Sequence, residues 1–244
     1  MADNVKNIQS IFEKSGGKFL LSDRKILQKL DHIKAFIFDW DGVFNNAQKD
    51  AGGSSNFNEA DSMGTNLLRF GYFLQHGRLP LTAIISGEKN ETAFYFCTRE
   101  HFTSSYYKIA NKIDAIHHFC QQHNISPKEI AYVFDDVLDL CVAEVCGIRI
   151  LIKRNANPLF TNYVIENNLA DYITAHESGN FAVREVCELL MGLYNNYDKI
   201  ISERTRYSAV YKEYIEKRNC IETTFFTRNG NTIVPGELKP IQNG

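Results

Sequence analysis

The 244-residue sequence predicts an α/β fold, a doubly wound parallel sheet with helices on both faces. Three observations carry that expectation. Short runs that are apolar nearly throughout, such as Lys34-Ala35-Phe36-Ile37-Phe38, Leu81-Thr82-Ala83-Ile84-Ile85 and Ile130-Ala131-Tyr132-Val133-Phe134, read as strands buried on both faces. Segments of helical length lie between them. Polar residues gather directly after the runs, where open parallel sheets bind their ligands.

Taken in order, residues 1–32 read as a helical preface that Gly16-Gly17 breaks and in which Ser22-Asp23 caps a second helix over 24–30. Helices are expected at 61–76, 89–100, 112–123, 137–146, 158–167 and 181–193. Weaker strands are expected at 148–152 and at Tyr172-Ile173. From about Tyr194 the composition changes. Residues 197–218 read as one charged, Tyr-rich helix, and 221–238 as a short strand or hairpin around Asn229-Gly230-Asn231. The tail, 235–244, is punctuated by Gly and Pro and is expected to be loose. The chain thus divides into an N-terminal helical extension (1–32), a core domain (33–193) and a C-terminal helix and tail (194–244).

A hydrophobic content of 44% supports one sizeable core with appendages. The formal net charge of −2 and the pI of about 6.4 give no electrostatic reason to expect a nucleic-acid partner. No apolar run approaches the roughly 18 residues that would span a bilayer. The six cysteines show no CxxC pair and no zinc-type spacing, and most sit in apolar stretches, where a buried free thiol is the default reading. The Met1-Ala2-Asp3-Asn4 start lacks the basic and apolar regions of a secretion signal. A reduced, cytoplasmic setting follows as the expectation, and the sequons at Asn90 and Asn124 then carry no meaning.

Four strand-end signals point to chemistry: Asp39 and Asp41 after the first strand, Ser86-Gly87 after the second, Lys112 opening a helix, and Asp135-Asp136 after the strand 130–134. An isolated DxDG is most often a turn, and acidic pairs commonly cap helices. Their joint order carries the signal. Carboxylates at two strand ends suit magnesium, which takes oxygen ligands in octahedral geometry. A carboxylate can also attack phosphorus, while a hydroxyl and a lysine offset the charge on the phosphoryl oxygens.

This set resembles the haloacid dehalogenase (HAD) superfamily over residues 33–193. The resemblance implies a Rossmann-like sheet, with Asp39 as nucleophile and Asp41 as general acid and base, a role worth roughly 10²–10⁴-fold. It implies Mg²⁺ held by Asp39, the backbone carbonyl of Asp41, and Asp135. Ser86, Gly87 and Lys112 would bind phosphate, Lys112 also completing the catalytic set with Asp39 and Asp41. Asp136 would orient that lysine or a metal-bound water. Asp139, one helical turn further on, reads equally as a helix-end residue.

The gaps from Asp41 to Ser86 and from Ser86 to Lys112 leave no room for a cap domain. The sequence is similar to the capless 3-deoxy-D-manno-octulosonate 8-phosphate phosphatase family. The similarity rests on Asp39-Trp40-Asp41-Gly42-Val43-Phe44, on Phe57-Asn58 with Asp61-Ser62-Met63-Gly64, and on Asn111-Lys112. It continues through Ala131-Tyr132-Val133-Phe134-Asp135-Asp136, Ala170-Asp171-Tyr172-Ile173-Thr174 and Phe181-Ala182-Val183-Arg184-Glu185-Val186. It implies a magnesium-dependent phosphatase of a small phosphomonoester, a sugar or sugar-acid phosphate. It also implies a homo-oligomer, a tetramer in which hairpins build a central barrel and a neighbour closes the site.

Four departures shape the expectation. The family's TGR is Ser86-Gly87-Glu88, an acid where an arginine would help hold an anion. Phe134 replaces the glycine of the GDD motif and is expected to add bulk beside the metal. Residues 47–56 make a short, polar hairpin segment, and the chain runs about fifty residues past the family's usual end. Phosphatase chemistry with a shifted substrate is therefore expected. The alternative is a catalytically weakened binding or scaffold protein on the same fold. A phosphomutase must exclude water, and the lack of a cap argues against it. His117-His118 read as surface or interface residues, and Arg184 either positions a substrate group or pairs with a carboxylate.

Overall fold

The computed structural model describes residues 7–230 and 232–236. The chain enters through α1 (Ile8–Lys14), a short β1 (Lys18–Phe19) and α2 (Asp23–Leu30), then runs into β2 (Ala35–Asp39) and the long α3 (Glu59–His76). β3 (Leu81–Ile85), α4 (Glu91–Arg99), β4 (Ser104–Tyr107), α5 (Lys112–His123) and β5 (Ile130–Phe134) follow. After a 3-10 turn come α6 (Leu140–Ala143), β6 (Ile148–Lys153), α7 (Pro158–Glu166), β7 (Tyr172–Glu177) and α8 (Ala182–Leu193). The last elements are α9 (Tyr197–Thr205), α10 (Ala209–Asn219), β8 (Thr224–Asn229) and β9 (Thr232–Pro235).

Nine strands form one sheet in the order β1-β7-β6-β5-β2-β3-β4-β8-β9. The run from β7 to β8 is parallel, and β1 and β9 close its two edges antiparallel. All five residues of β2 are buried, because both of its faces are covered. Alternate side chains serve different cores: Phe36 and Phe38 join one with α3 and α8, while Ala35 and Ile37 join the other with α5, α6 and α7. Gly64 lets α3 approach α8 closely, since a Cβ there would stand 3.1 Å from the Cα of Arg184. No cap domain is seen among the described residues, and no helix there is long and apolar enough to cross a membrane.

Several expected elements differ. β4 was not expected, because Ser104-Ser105-Tyr106-Tyr107 has no apolar run, yet all four residues are buried. Residues 197–218 form two helices, broken where Tyr207 takes φ +49°. The expected helix 137–146 is a 3-10 turn, Val137–Asp139, followed by one turn of α-helix. Residues 47–56 form no strand; instead the Asp50 carboxylate accepts the Gly52 and Ser54 N–H groups at 2.8 and 2.9 Å and curls the loop on itself. The expected C-terminal hairpin exists and extends the main sheet, β8 lying parallel beside β4. Residues 1–6 of the preface and 237–244 of the tail lie outside the described residues.

Candidate active site

The chain steps from β2 to β3 and β4, then crosses back to place β5 on the other side of β2. That reversal opens a crevice at the carboxyl ends of β2 and β5. Asp39 closes β2 and Asp135 follows β5, so the switch point sets two acids side by side. They line a cleft of about 400 Å³ with Asp41, Gly87, Glu88, Lys112, Asp136, Asp139 and Arg154.

Lys112, the first residue of α5, is only 3% exposed and lies between two carboxylates. Its Nζ is 2.7 Å from Asp39 Oδ1 and 2.6 Å from Asp139 Oδ1. Burial alone would lower the Lys112 pKa, but Asp39 and Asp139 outweigh it and hold the ammonium above its usual range. Tyr132 also donates to Asp139 Oδ1. Asp139 is thus a buried member of the site, which its sequence position alone left undecided.

Carboxylate oxygens of Asp39, Asp135 and Asp139 lie within 4.8 Å of one another. Burial pushes Asp39 up to about 6, against the Lys112 ammonium and with the Asp139 charge. Burial and the charges of Asp39 and Asp139 push Asp135 to about 9, opposed by Arg154. Asp135 Oδ1 is buried with no hydrogen-bond donor in reach, while Oδ2 meets the Arg154 guanidinium. A cluster of buried carboxylates with an orphaned oxygen suits a hard divalent cation, so the residues present fit magnesium. Gly42, at φ +86°, admits this crowding: a Cβ there would fall 2.1 Å from Asp135 Oδ2.

Asp41 stands on the loop side of the cleft. Its Oδ2 is 2.6 Å from Lys49 Nζ, and its Oδ1 accepts the Ser55 hydroxyl at 2.5 Å. Ser55 Oγ itself accepts Trp40 Nε1 at 3.1 Å and Asn90 Nδ2 at 2.7 Å. Two donors on that oxygen leave its single proton directed at Asp41. The residues Lys49, Ser55, Asn90, Asp139 and Arg154 were absent from the sequence-derived set or undecided in it. Arg154 follows β6 directly, and the same strand-end rule that found Asp135 would have found it.

The other expected residues have these surroundings. Ser86 is buried and does not line the cleft; its Oγ accepts the Glu88 N–H at 3.2 Å. Asp136, expected to orient Lys112 or a metal-bound water, lines the cleft and accepts the Val137 N–H at 2.7 Å, capping the 3-10 turn, while the carboxylate that contacts the lysine is that of Asp139. Phe134 adds no bulk to the cleft. Alternation along β5 turns it into the core, stacked on Tyr132 with centroids 6.0 Å apart. Arg184 pairs with Glu188 one turn along α8, both contacts being 2.8 Å. His118 meets the Tyr106 hydroxyl at 2.9 Å.

A capless doubly wound sheet with this acidic cluster and its buried lysine defines a HAD-type phosphohydrolase. No protein-family model matches the sequence. The 3-deoxy-D-manno-octulosonate 8-phosphate phosphatase KdsC of Escherichia coli K12 is 31% identical over 171 residues, covering 68% of this chain and 83% of that protein. The phosphatase of the same name from Moraxella catarrhalis, solved with magnesium, phosphate and KDO, matches with a TM-score of 0.62 at 28% identity over 74% of this chain and 98% of that one. Its Yersinia pestis counterpart matches with a TM-score of 0.59 at 25% identity, over 71% and 89% of the two chains. The chain belongs to the 3-deoxy-D-manno-octulosonate 8-phosphate phosphatase family of the HAD superfamily.

Proposed function

We propose that this chain is a magnesium-dependent phosphatase that hydrolyses a sugar or sugar-acid phosphate through an aspartyl-phosphate on Asp39. The observation that carries this reading is the clustering of the Asp39, Asp135 and Asp139 carboxylates at the switch point, with Lys112 held between Asp39 and Asp139. Asp39, Asp135 and the backbone carbonyl of Asp41 would hold the magnesium, which when bound offsets negative charge on the phosphoryl group.

The Asp39 carboxylate attacks phosphorus as the bond to the departing alkoxide breaks, and Asp41 gives that oxygen a proton. Water then attacks the phosphorus of the aspartyl-phosphate, Asp41 takes its proton, and Asp39 leaves as a free carboxylate. Lys112 holds Asp39 in place and offsets charge throughout. Gly87 lines the cleft and would offer its N–H to a phosphoryl oxygen, and Ser86, buried beside it, would have to turn its hydroxyl toward the cleft to add a second hydrogen bond. Ser55 fixes the carboxylate of Asp41. Its Oδ2 is occupied by the Lys49 ammonium, so reaching the leaving oxygen requires Lys49 to withdraw.

The test compares wild type with Asp39→Asn on para-nitrophenyl phosphate in magnesium. Wild-type turnover and a loss of roughly 10³-fold or more in the variant are expected. Labelled water should place one labelled oxygen in each phosphate released. Equal null activity of both proteins would favour the scaffold alternative. Glu88 on the cleft wall motivates a substrate shifted from the octulosonate phosphate. In a panel of sugar phosphates, turnover of 3-deoxy-D-manno-octulosonate 8-phosphate far above all others would sink that part. A homo-oligomer, a tetramer on the family's pattern, is proposed as the working state and is checked by light scattering.

A further inference from the structure

We propose that Arg154 determines specificity by receiving a carboxylate of the substrate on the β6 side of the cleft. The proposal rests on the phosphatase reading and names the residue that selects, among phosphomonoesters, those that also carry a carboxylate.

Across the cleft the strand ends fall in the order β6, β5, β2, β3, bearing Arg154, Asp135, Asp39 and Glu88. The charges at its two sides are therefore opposite. Six carboxylates line the cleft (Asp39, Asp41, Glu88, Asp135, Asp136 and Asp139) against two cations, Lys112 and Arg154. Lys112 is enclosed between Asp39 and Asp139 and cannot turn outward. Arg154 has 27% of its side chain exposed, and its Nη1 stands 3.8 Å from Asp136 Oδ2 at the rim. An acidic substituent beside Glu88 meets repulsion. On the opposite side it meets a guanidinium.

Arg154 also has a place made for it. Gly42 leaves the space that its Nη2 occupies, since a Cβ there would stand 2.5 Å from that atom. The guanidinium contacts Asp135, one of the carboxylates that suit the cation. A divalent ion drawing on Asp135 offsets the attraction that ties Arg154 to it. The planar fork then has donors to spare for a carboxylate, which it matches two oxygens at a time. Arg154 thus competes with the cation for Asp135 and turns to the substrate once the cation is bound.

The experiment compares wild type, Arg154→Gln and Arg154→Lys on pairs that differ in a carboxylate: 6-phosphogluconate and 3-deoxy-D-manno-octulosonate 8-phosphate against glucose 6-phosphate. Wild type should favour the acids. Arg154→Gln should lower the acid-to-neutral ratio of kcat/KM by about tenfold or more, chiefly through KM, and Arg154→Lys should recover part of it. Two binding readouts by calorimetry stand apart from turnover. Mg²⁺ alone should bind Arg154→Gln several-fold more tightly than wild type, and the free octulosonate acid, in magnesium, more weakly. An unchanged ratio, an equal fall in kcat on both substrate types, or unaltered binding of the free acid would each overturn the proposal. Failure of wild type to hydrolyse any phosphomonoester would instead overturn the phosphatase reading, leaving the binding measurements to decide on Arg154.

Discussion

Lys112 is held between Asp39 and Asp139, so removing it leaves two buried carboxylates facing each other without a counter-charge. Lys112→Met is expected to cost about 3–5 kcal/mol in urea unfolding with chelator present, and less in magnesium. Ser55→Ala removes the hydroxyl that fixes Asp41 and strips an acceptor from Trp40 and Asn90. A loss of about 1–3 kcal/mol is expected there, with kcat falling more than KM changes. The acids also set a pH dependence. Asp39 at about 6 and Asp135 at about 9 both lie above the ordinary value of 3.8. Carboxyls raised in this way contribute stability that is full below 3.8 and lost as pH climbs through about 6 and then about 9. Chelator-treated protein should therefore melt lower at pH 9 than at pH 6, and magnesium should bind more tightly with rising pH and release protons. Calorimetry at pH 7 in two buffers of different ionisation heat reads that release; an identical heat in both would refute it. The sequence made Asp39, Asp41, Lys112 and Asp135 visible because each adjoins a regular element. Ser55 and Asn90 were not visible, because they meet Asp41 only after separate loops fold together.

Elements with an apolar run and a clear period were legible: β3 and β5 lie where the residue pattern puts them, and α5 begins and ends as expected. β4 was hidden because its burial comes from neighbours rather than from its own composition. On one side it pairs with β3, and on the other with β8 from far along the chain. Tyr106 stacks on Phe226 with centroids 5.1 Å apart, and Phe225 meets Phe94 edge-on at 5.5 Å. Phe226→Ala is expected to lower stability by about 1.5–3 kcal/mol, measured by urea unfolding. Hydrogen exchange should show β4 loosening with β8; protection retained in β4 would show that it stands without its neighbour. The break at Tyr207 was equally unreadable, since the periodicity of residues 197–218 runs through it. There α10 turns back to pack on α3, with the Tyr214 hydroxyl donating to Asn66 O at 3.0 Å.

At the scale of the whole molecule, one sheet runs from β1 at one edge to β9 at the other, so both terminal segments take part in it. The doubly wound class and the uncapped site were readable from the order of strands and the gaps between motifs. The edges were not, because pairing across the length of the chain leaves no local pattern. A chain truncated after Ile221 loses β8 and β9 and bares the edge of β4. Such a chain is expected to lose cooperative unfolding and to aggregate, as scattering during a thermal ramp would show. The same pairing bears on how the protein is made. Ser104 waits for Thr224, a partner 120 positions later. At about 5–20 residues per second, translation needs roughly 6–24 s to cover that distance. For that interval the nascent chain carries an unpaired strand edge outside the ribosome, and mispairing competes with completion of the sheet until the last hairpin emerges.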